Sequence, residues 1–204
     1  MIDMKLWNKL VKEWEKIGPV YQIPRRTERK LNFFLLHGLP RLVGKKTLEI
    51  GANAAYFGLY IQKKAESYIA LEPGNLIAHG KSRTDYHQQA LITRSYMENE
   101  NVEIVNATVR GFCKMKERDF NALFMCFCLY HLSDKEIDLL KEHILPKCNT
   151  VIIQTRAQSR PSRHNSYKFW KSKRVVKFLE KEGFSVEVKW EMERRFSMEI
   201  ATRA

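Results

Sequence analysis

Residues 47–57, Thr47-Leu48-Glu49-Ile50-Gly51-Ala52-Asn53-Ala54-Ala55-Tyr56-Phe57, decide the reading of this chain. An apolar strand here runs into a tight turn of small residues that opens a helix. A second apolar strand, Tyr68-Ile69-Ala70-Leu71, ends in Glu72, 21 residues after Gly51. Strand, small-residue turn, helix, strand and acid in that order make a nucleoside-binding α/β unit. Small residues let the backbone approach a ligand closely, and a carboxylate at the tip of the next strand accepts hydrogen bonds from both hydroxyls of a ribose.

Outward from that unit the pattern alternates, with strands at 47–51, 67–71, 102–106, 121–128 and 149–155 and helices at 55–64, 86–98 and 134–143. Such alternation predicts a parallel sheet with helices on both faces. A helix over about 171–182, capped by Gly183, leads to two last strands at 184–190 and 196–203. The short polar turn Glu191-Met192-Glu193-Arg194-Arg195 between them predicts an antiparallel hairpin at the sheet edge. Upstream, Leu6, Trp7, Leu10, Val11 and Trp14 fall at helical spacing over residues 4–16, and Gly18-Pro19 ends that helix. A second helix is expected over Thr27 to His37, with Thr27 as its cap and Gly38 as its stop.

On these residues the chain resembles the class I S-adenosylmethionine-dependent methyltransferases. Glu49 and Gly51 match the family's first motif, an acid followed by a glycine-rich turn, and Glu72 matches the acid set against the cosubstrate ribose. Asn53 and Ala55 stand where the turn usually carries its second and third glycines; Asn tolerates positive φ, and Ala adds a single methyl group. The segment Val105-Asn106-Ala107-Thr108 matches the place where the family reads adenine, although Asn106 reads equally well as a strand-ending turn residue. The resemblance implies a doubly wound, mostly parallel seven-stranded α/β sheet with an antiparallel C-terminal strand. It also implies S-adenosylmethionine as cofactor, held by Glu49, Gly51, Asn53, Ala55, Glu72, Asn106 and Ala107. Residues 1–45 are then a helical extension that packs on or covers the cofactor site, and 46–204 are the methyltransferase domain.

Open α/β sheets bind ligands at the carboxyl ends of their strands. The expected fourth strand ends in Phe127-Cys128-Leu129-Tyr130-His131, which places Tyr130 and His131 where a methyl group would be transferred. His131 is the candidate general base, its alternative role being to hold a backbone loop. Cys126 and Cys128 alternate along an apolar strand and read as buried side chains rather than nucleophiles. Ser133 and Glu136 form a capping box for the next helix. The four cysteines and the histidines lack metal-ligand spacing, so no metal is expected.

The chain of 204 residues carries 36 basic and 23 acidic side chains, a net charge of +13 that favours a polyanionic partner. Charge concentrates in Arg156, Arg160, Arg163, Lys168, Lys171, Lys173, Arg174 and Lys177, with no acid among them and with His164, Tyr167, Phe169 and Trp170 interleaved. Cations meet phosphates and exposed aromatics stack on unpaired bases, so this segment is the candidate RNA-binding surface. Arg25-Arg26-Thr27-Glu28-Arg29-Lys30 is a second basic cluster that could extend it. No apolar run approaches the ~18 residues of a membrane span, and the N-terminus has no signal-type segment, so a cytoplasmic protein without a membrane partner is expected. Monomer and homodimer both remain open.

The stretches Leu129-Tyr130-His131-Leu132 and Phe178-Leu179-Glu180-Lys181-Glu182-Gly183-Phe184 are most similar to the branch containing the tRNA wobble-uridine carboxymethyltransferases. The expected function is methylation of RNA with S-adenosylmethionine. The alternatives are a small-molecule or protein acceptor, or a non-catalytic protein that uses the fold to bind RNA or activate a partner.

Overall fold

The computed structural model describes residues 3–18, 20, 24–74, 76–78, 82–156, 171–191 and 196–203; for residues 24–27, 76–78, 82–84, Tyr130 and Arg156 only the backbone is described. Its strands are β1 (Lys46–Ile50), β2 (Ser67–Leu71), β3 (Leu76–Ala78), β4 (Ser82–Thr84), β5 (Val102–Val105), β6 (Ala122–Cys126), β7 (Thr150–Arg156), β8 (Ser185–Trp190) and β9 (Phe196–Thr202). Its helices are α1 (Met4–Glu15), α2 (Pro24–His37), α3 (Gly58–Ile61), α4 (Tyr86–Arg94), α5 (Val109–Phe112), α6 (Asp134–Leu139) and α7 (Ser172–Lys181).

Seven strands form one sheet in the order β5-β2-β1-β6-β7-β9-β8. Neighbours from β5 to β7 pair in parallel, β9 runs antiparallel to β7, and β8 runs antiparallel to β9. Only β9 is reversed, as the family resemblance implies. Strand order changes direction between β1 and β6, and the connections that leave their carboxyl ends part to opposite faces of the sheet, α3 to one and α6 to the other, which is where open α/β sheets bind ligands.

Alternation along the strands divides the core in two. Leu48 and Ile50 pack with Leu123, Met125, Val151 and Ile153 beneath α5, α6 and α7. On the other face, Tyr68, Ala70, Phe124 and Ile152 pack with Trp7, Leu10 and Trp14 of α1 and Leu31 and Phe34 of α2. The apolar stripe of α1 is thus continuous with the sheet core. Trp7 lies edge-on to both Trp14 and Tyr56, with ring centroids 5.8 and 4.6 Å apart.

Several boundaries differ from the sequence reading. The second helix starts at Pro24, so Thr27 lies inside it and is not its cap; the fixed φ of proline suits a first helical turn. The helix expected over 55–64 is regular only from Gly58 to Ile61, because Ala55 adopts φ +52, which an α-helix cannot contain. The β3–β4 hairpin and the single turn of α5 are too short to leave a periodic trace in sequence. The Ser133–Glu136 capping box forms as read. Among the described residues no helix is long and apolar enough to cross a membrane.

Candidate functional site

The turn after β1 is built from left-handed backbone at three of five consecutive residues. Gly51, Asn53 and Ala55 have φ of 72, 51 and 52°. For glycine this is free; for the other two it costs about 1–2 kcal/mol each and must be held by surrounding contacts. Within the turn, Asn53 Nδ2 donates to Gly51 O at 3.1 Å and the Ala55 N–H to Ala52 O at 2.8 Å, and two further hydrogen bonds come from other elements. The Asn53 backbone N–H donates to Glu72 Oε2 at 2.6 Å, tying the turn to the tip of β2. The Ala54 carbonyl accepts from Thr93 Oγ1 of α4 at 2.5 Å.

Gly51 follows β1 where the chain runs close beside the end of β6. A Cβ there would lie 2.6 Å from Cys128 Cβ and 3.0 Å from its sulfur. The Cys128 thiol donates to the Ile50 carbonyl at 2.8 Å, and Phe127 before it adopts φ +55. Both strand ends are therefore bent and pressed together at the crevice. The thiols are poor nucleophiles: burial pushes Cys126 up to about 12 and Cys128 well above the ordinary thiol range.

Glu72 is 2% exposed, and burial raises its carboxyl to about 7 despite the Asn53 hydrogen bond that pulls it down. Its other oxygen, Oε1, has no hydrogen-bond donor among the described residues. A half-satisfied carboxylate at the strand tip, beside a turn in which Gly51 has no room for a side chain, fits the hydroxyls of a ribose. These residues fit the cofactor that the fold implies.

The structure places the other candidates unequally. Glu49 lies in the core one layer below the turn, its Oε2 accepting from Tyr68 Oη at 2.5 Å, so its carboxyl supports the site without lining it. Asn106 is exposed beyond β5, and its Oδ1 accepts from the Gly74 N–H at 2.8 Å. The side-chain carbonyl is thus committed to the loop after β2, in line with the turn role, and the NH2 group is what can meet a ligand. Ala107 is buried beside it, and Ala55 is buried beneath α1 and α4. His131 is exposed on a 3-10 turn over Leu129–His131, its N–H bonded to Cys128 O. Tyr130 stands on the same turn. Lys171, Lys173 and Arg174 are exposed at the start of α7, whereas Arg160, Arg163 and Lys168, with the aromatic residues between them, lie outside the described residues. Arg156 closes β7.

Reading from sequence missed the partners that come from remote elements: Thr93, Gln89 and Trp14 behind the turn, and Cys128 in front of it. No local pattern marks them, because each contact joins residues between 39 and 79 positions apart.

The buried carboxyls set a pH dependence. Burial raises Glu49 to about 8, against a downward pull from the Tyr68 hydroxyl, and Glu72 to about 7. Both lie above the unfolded value of about 4.3, so the folded chain binds more protons. Their stabilising contribution is complete below that value and is lost as pH rises through about 7 and about 8. Glu49→Gln keeps an acceptor for Tyr68 without a charge. Relative to wild type, its melting temperature is expected to gain several degrees between pH 6 and pH 9, measured by thermal unfolding; parallel profiles would refute this.

Solved structures share this architecture. A SAM-dependent methyltransferase from Aquifex aeolicus is similar with a TM-score of 0.63 and 18% identity, covering 97% of this chain and 98% of that one. The chain has the class I methyltransferase fold. The methyltransferase fold recurs in a DhpI-SAM-HEP complex, at TM-score 0.63 and 13% identity over 98% of this chain and 95% of that one. It recurs again in the N-methyltransferase NodS from Bradyrhizobium japonicum WM9, at TM-score 0.63 and 9% identity over 88% of this chain and 97% of that one. No protein-family model and no curated protein matches the sequence.

Proposed function

We propose that this chain is an S-adenosylmethionine-dependent methyltransferase acting on RNA. The observation that carries the cofactor is Glu72: a buried carboxylate at the tip of β2 whose Oε2 is fixed by the Asn53 N–H and whose Oε1 has no donor among the described residues. Oε1 would receive the ribose hydroxyls, the Gly51 turn would lie against the cofactor backbone, and the Asn106 NH2 group would meet a purine edge. S-adenosylmethionine, when bound, supplies an electrophilic methyl on a sulfonium.

The protein's own part is alignment. The ends of β1 and β6 would set the direction of approach, and Tyr130 and His131, on the turn that follows β6, are the candidates to meet the acceptor. The neutral imidazole of His131 can take a proton from an acceptor that carries one. The fold does not name the acceptor. RNA is supported by the net charge of +13 and by Lys171, Lys173 and Arg174, exposed at the start of α7, whose first turn carries no acidic residue. Within RNA, the resemblance of Leu129-Tyr130-His131-Leu132 to the wobble-uridine branch makes tRNA the first acceptor to try.

Incubation with radiolabelled S-adenosylmethionine and total RNA is expected to label RNA in the small-RNA fraction. Charge reversal at Lys171, Lys173 and Arg174 should weaken RNA binding about tenfold or more and flatten its salt dependence. Label in protein or small molecules alone would overturn the RNA acceptor, leaving the basic face to another partner.

A further inference from the structure

The turn's departure from glycine has a structural counterpart in α1. Ala54 is fully buried, so its carbonyl needs a partner, and that partner is the Thr93 hydroxyl at 2.5 Å. One proton sits on that hydroxyl, and Ala54 O at 2.5 Å is a nearer acceptor for it than Gln89 O at 3.1 Å. The Thr93 oxygen in turn lies 3.2 Å from the Trp14 indole N–H, which also reaches Gln89 O at 3.1 Å. Gln89 closes the loop by donating from Nε2 to Trp14 O at 3.3 Å. Trp14, Gln89 and Thr93 are each no more than 1% exposed. Two peptide units upstream, the Asn53 N–H is held by Glu72. Two non-glycine residues with positive φ, Asn53 and Ala55, flank this doubly clamped unit.

We propose that α1 is a working part of the cofactor site: the Trp14–Gln89–Thr93 relay clamps the Ala54 carbonyl and so holds Asn53 and Ala55 in the left-handed backbone the cofactor needs. This rests on the cofactor reading above. Thr93 is a positioning residue, acting through Ala54. The same chain therefore couples the N-terminal helix to the cofactor crevice. A turn made of glycine would need no such clamp, since glycine adopts positive φ without steric cost.

The test uses the full chain and two readouts, amide exchange of residues 52–57 without ligand and calorimetric affinity for S-adenosylhomocysteine. Thr93→Val keeps the shape and removes the hydroxyl; it is expected to speed exchange and weaken the ligand about tenfold each. Thr93→Ser keeps the hydroxyl and should return both to within about threefold of wild type. Adding Ala55→Gly to Thr93→Val should also recover affinity, because glycine removes the strain the clamp holds. A Thr93→Val protein that melts earlier but keeps wild-type exchange in the turn and wild-type affinity would overturn the proposal, Thr93 being then only a packing residue. Should the wild type itself bind no S-adenosylhomocysteine, the cofactor reading fails, and faster or unchanged exchange in Thr93→Val still decides whether the clamp exists.

Discussion

Gly51→Ala is expected to destabilise the protein by about 2–5 kcal/mol and to abolish cofactor binding, whereas Gly44→Ala is expected to cost about 1–2 kcal/mol and leave binding intact. The two glycines share a left-handed backbone, with φ of 72 and 66°, so the conformational penalty is common to both. They differ in surroundings. A methyl at Gly44 meets nothing within 4 Å, while one at Gly51 lies 2.6 Å from Cys128 Cβ, an atom fixed to the β6 end. Relief requires the ends of β1 and β6 to move apart, breaking the thiol contact of Cys128 with Ile50 O and shifting the turn that Glu72 holds. The excess at Gly51 is thus the energy of the close strand approach that shapes the crevice. Urea unfolding of both variants measures it, and equal losses would show that the approach carries no energetic weight.

Much of this was legible in the sequence. The run from Thr47 to Glu72 gave strand, turn and acid because apolar periodicity and small residues are local signals, and the pairing of β1 with β2 brings Gly51 and Glu72 together. The antiparallel pairing of the last two strands was also legible, from the polar connection between two apolar runs. The path of the chain within the turn was not. Asn53 is a residue type that tolerates positive φ, but Ala55 carries no mark of it, since the clamp that imposes it comes from Thr93 and Trp14, and tertiary contacts override local preference. Thr27 illustrates the converse: a good capping residue was overruled by Pro24, three positions earlier, as the start of α2. Glu49 was legible as a motif residue, but the Tyr68 hydroxyl that turns its carboxyl into the core depends on strand pairing.

Glu72 concentrates the functional account. Its carboxyl is held near pH 7 by burial, one oxygen is spent on Asn53, and the other awaits a donor. Hydroxyls that donate to it favour the ionised form, so cofactor affinity should rise as pH increases through about 7. Glu72→Ala removes both the ribose acceptor and the anchor of the turn, and a loss of about 100-fold or more in affinity is expected, a charge-assisted hydrogen bond alone being worth about 1.5–3 kcal/mol.

Isothermal titration of the folded wild-type protein with S-adenosylmethionine and S-adenosylhomocysteine, at pH 6 and pH 8 and beside Glu72→Ala, tests this most directly. The account predicts saturable binding of one ligand per chain, tighter at pH 8 and lost in Glu72→Ala. Absence of binding of either ligand to the wild type, or binding that Glu72→Ala leaves unchanged, would contradict it.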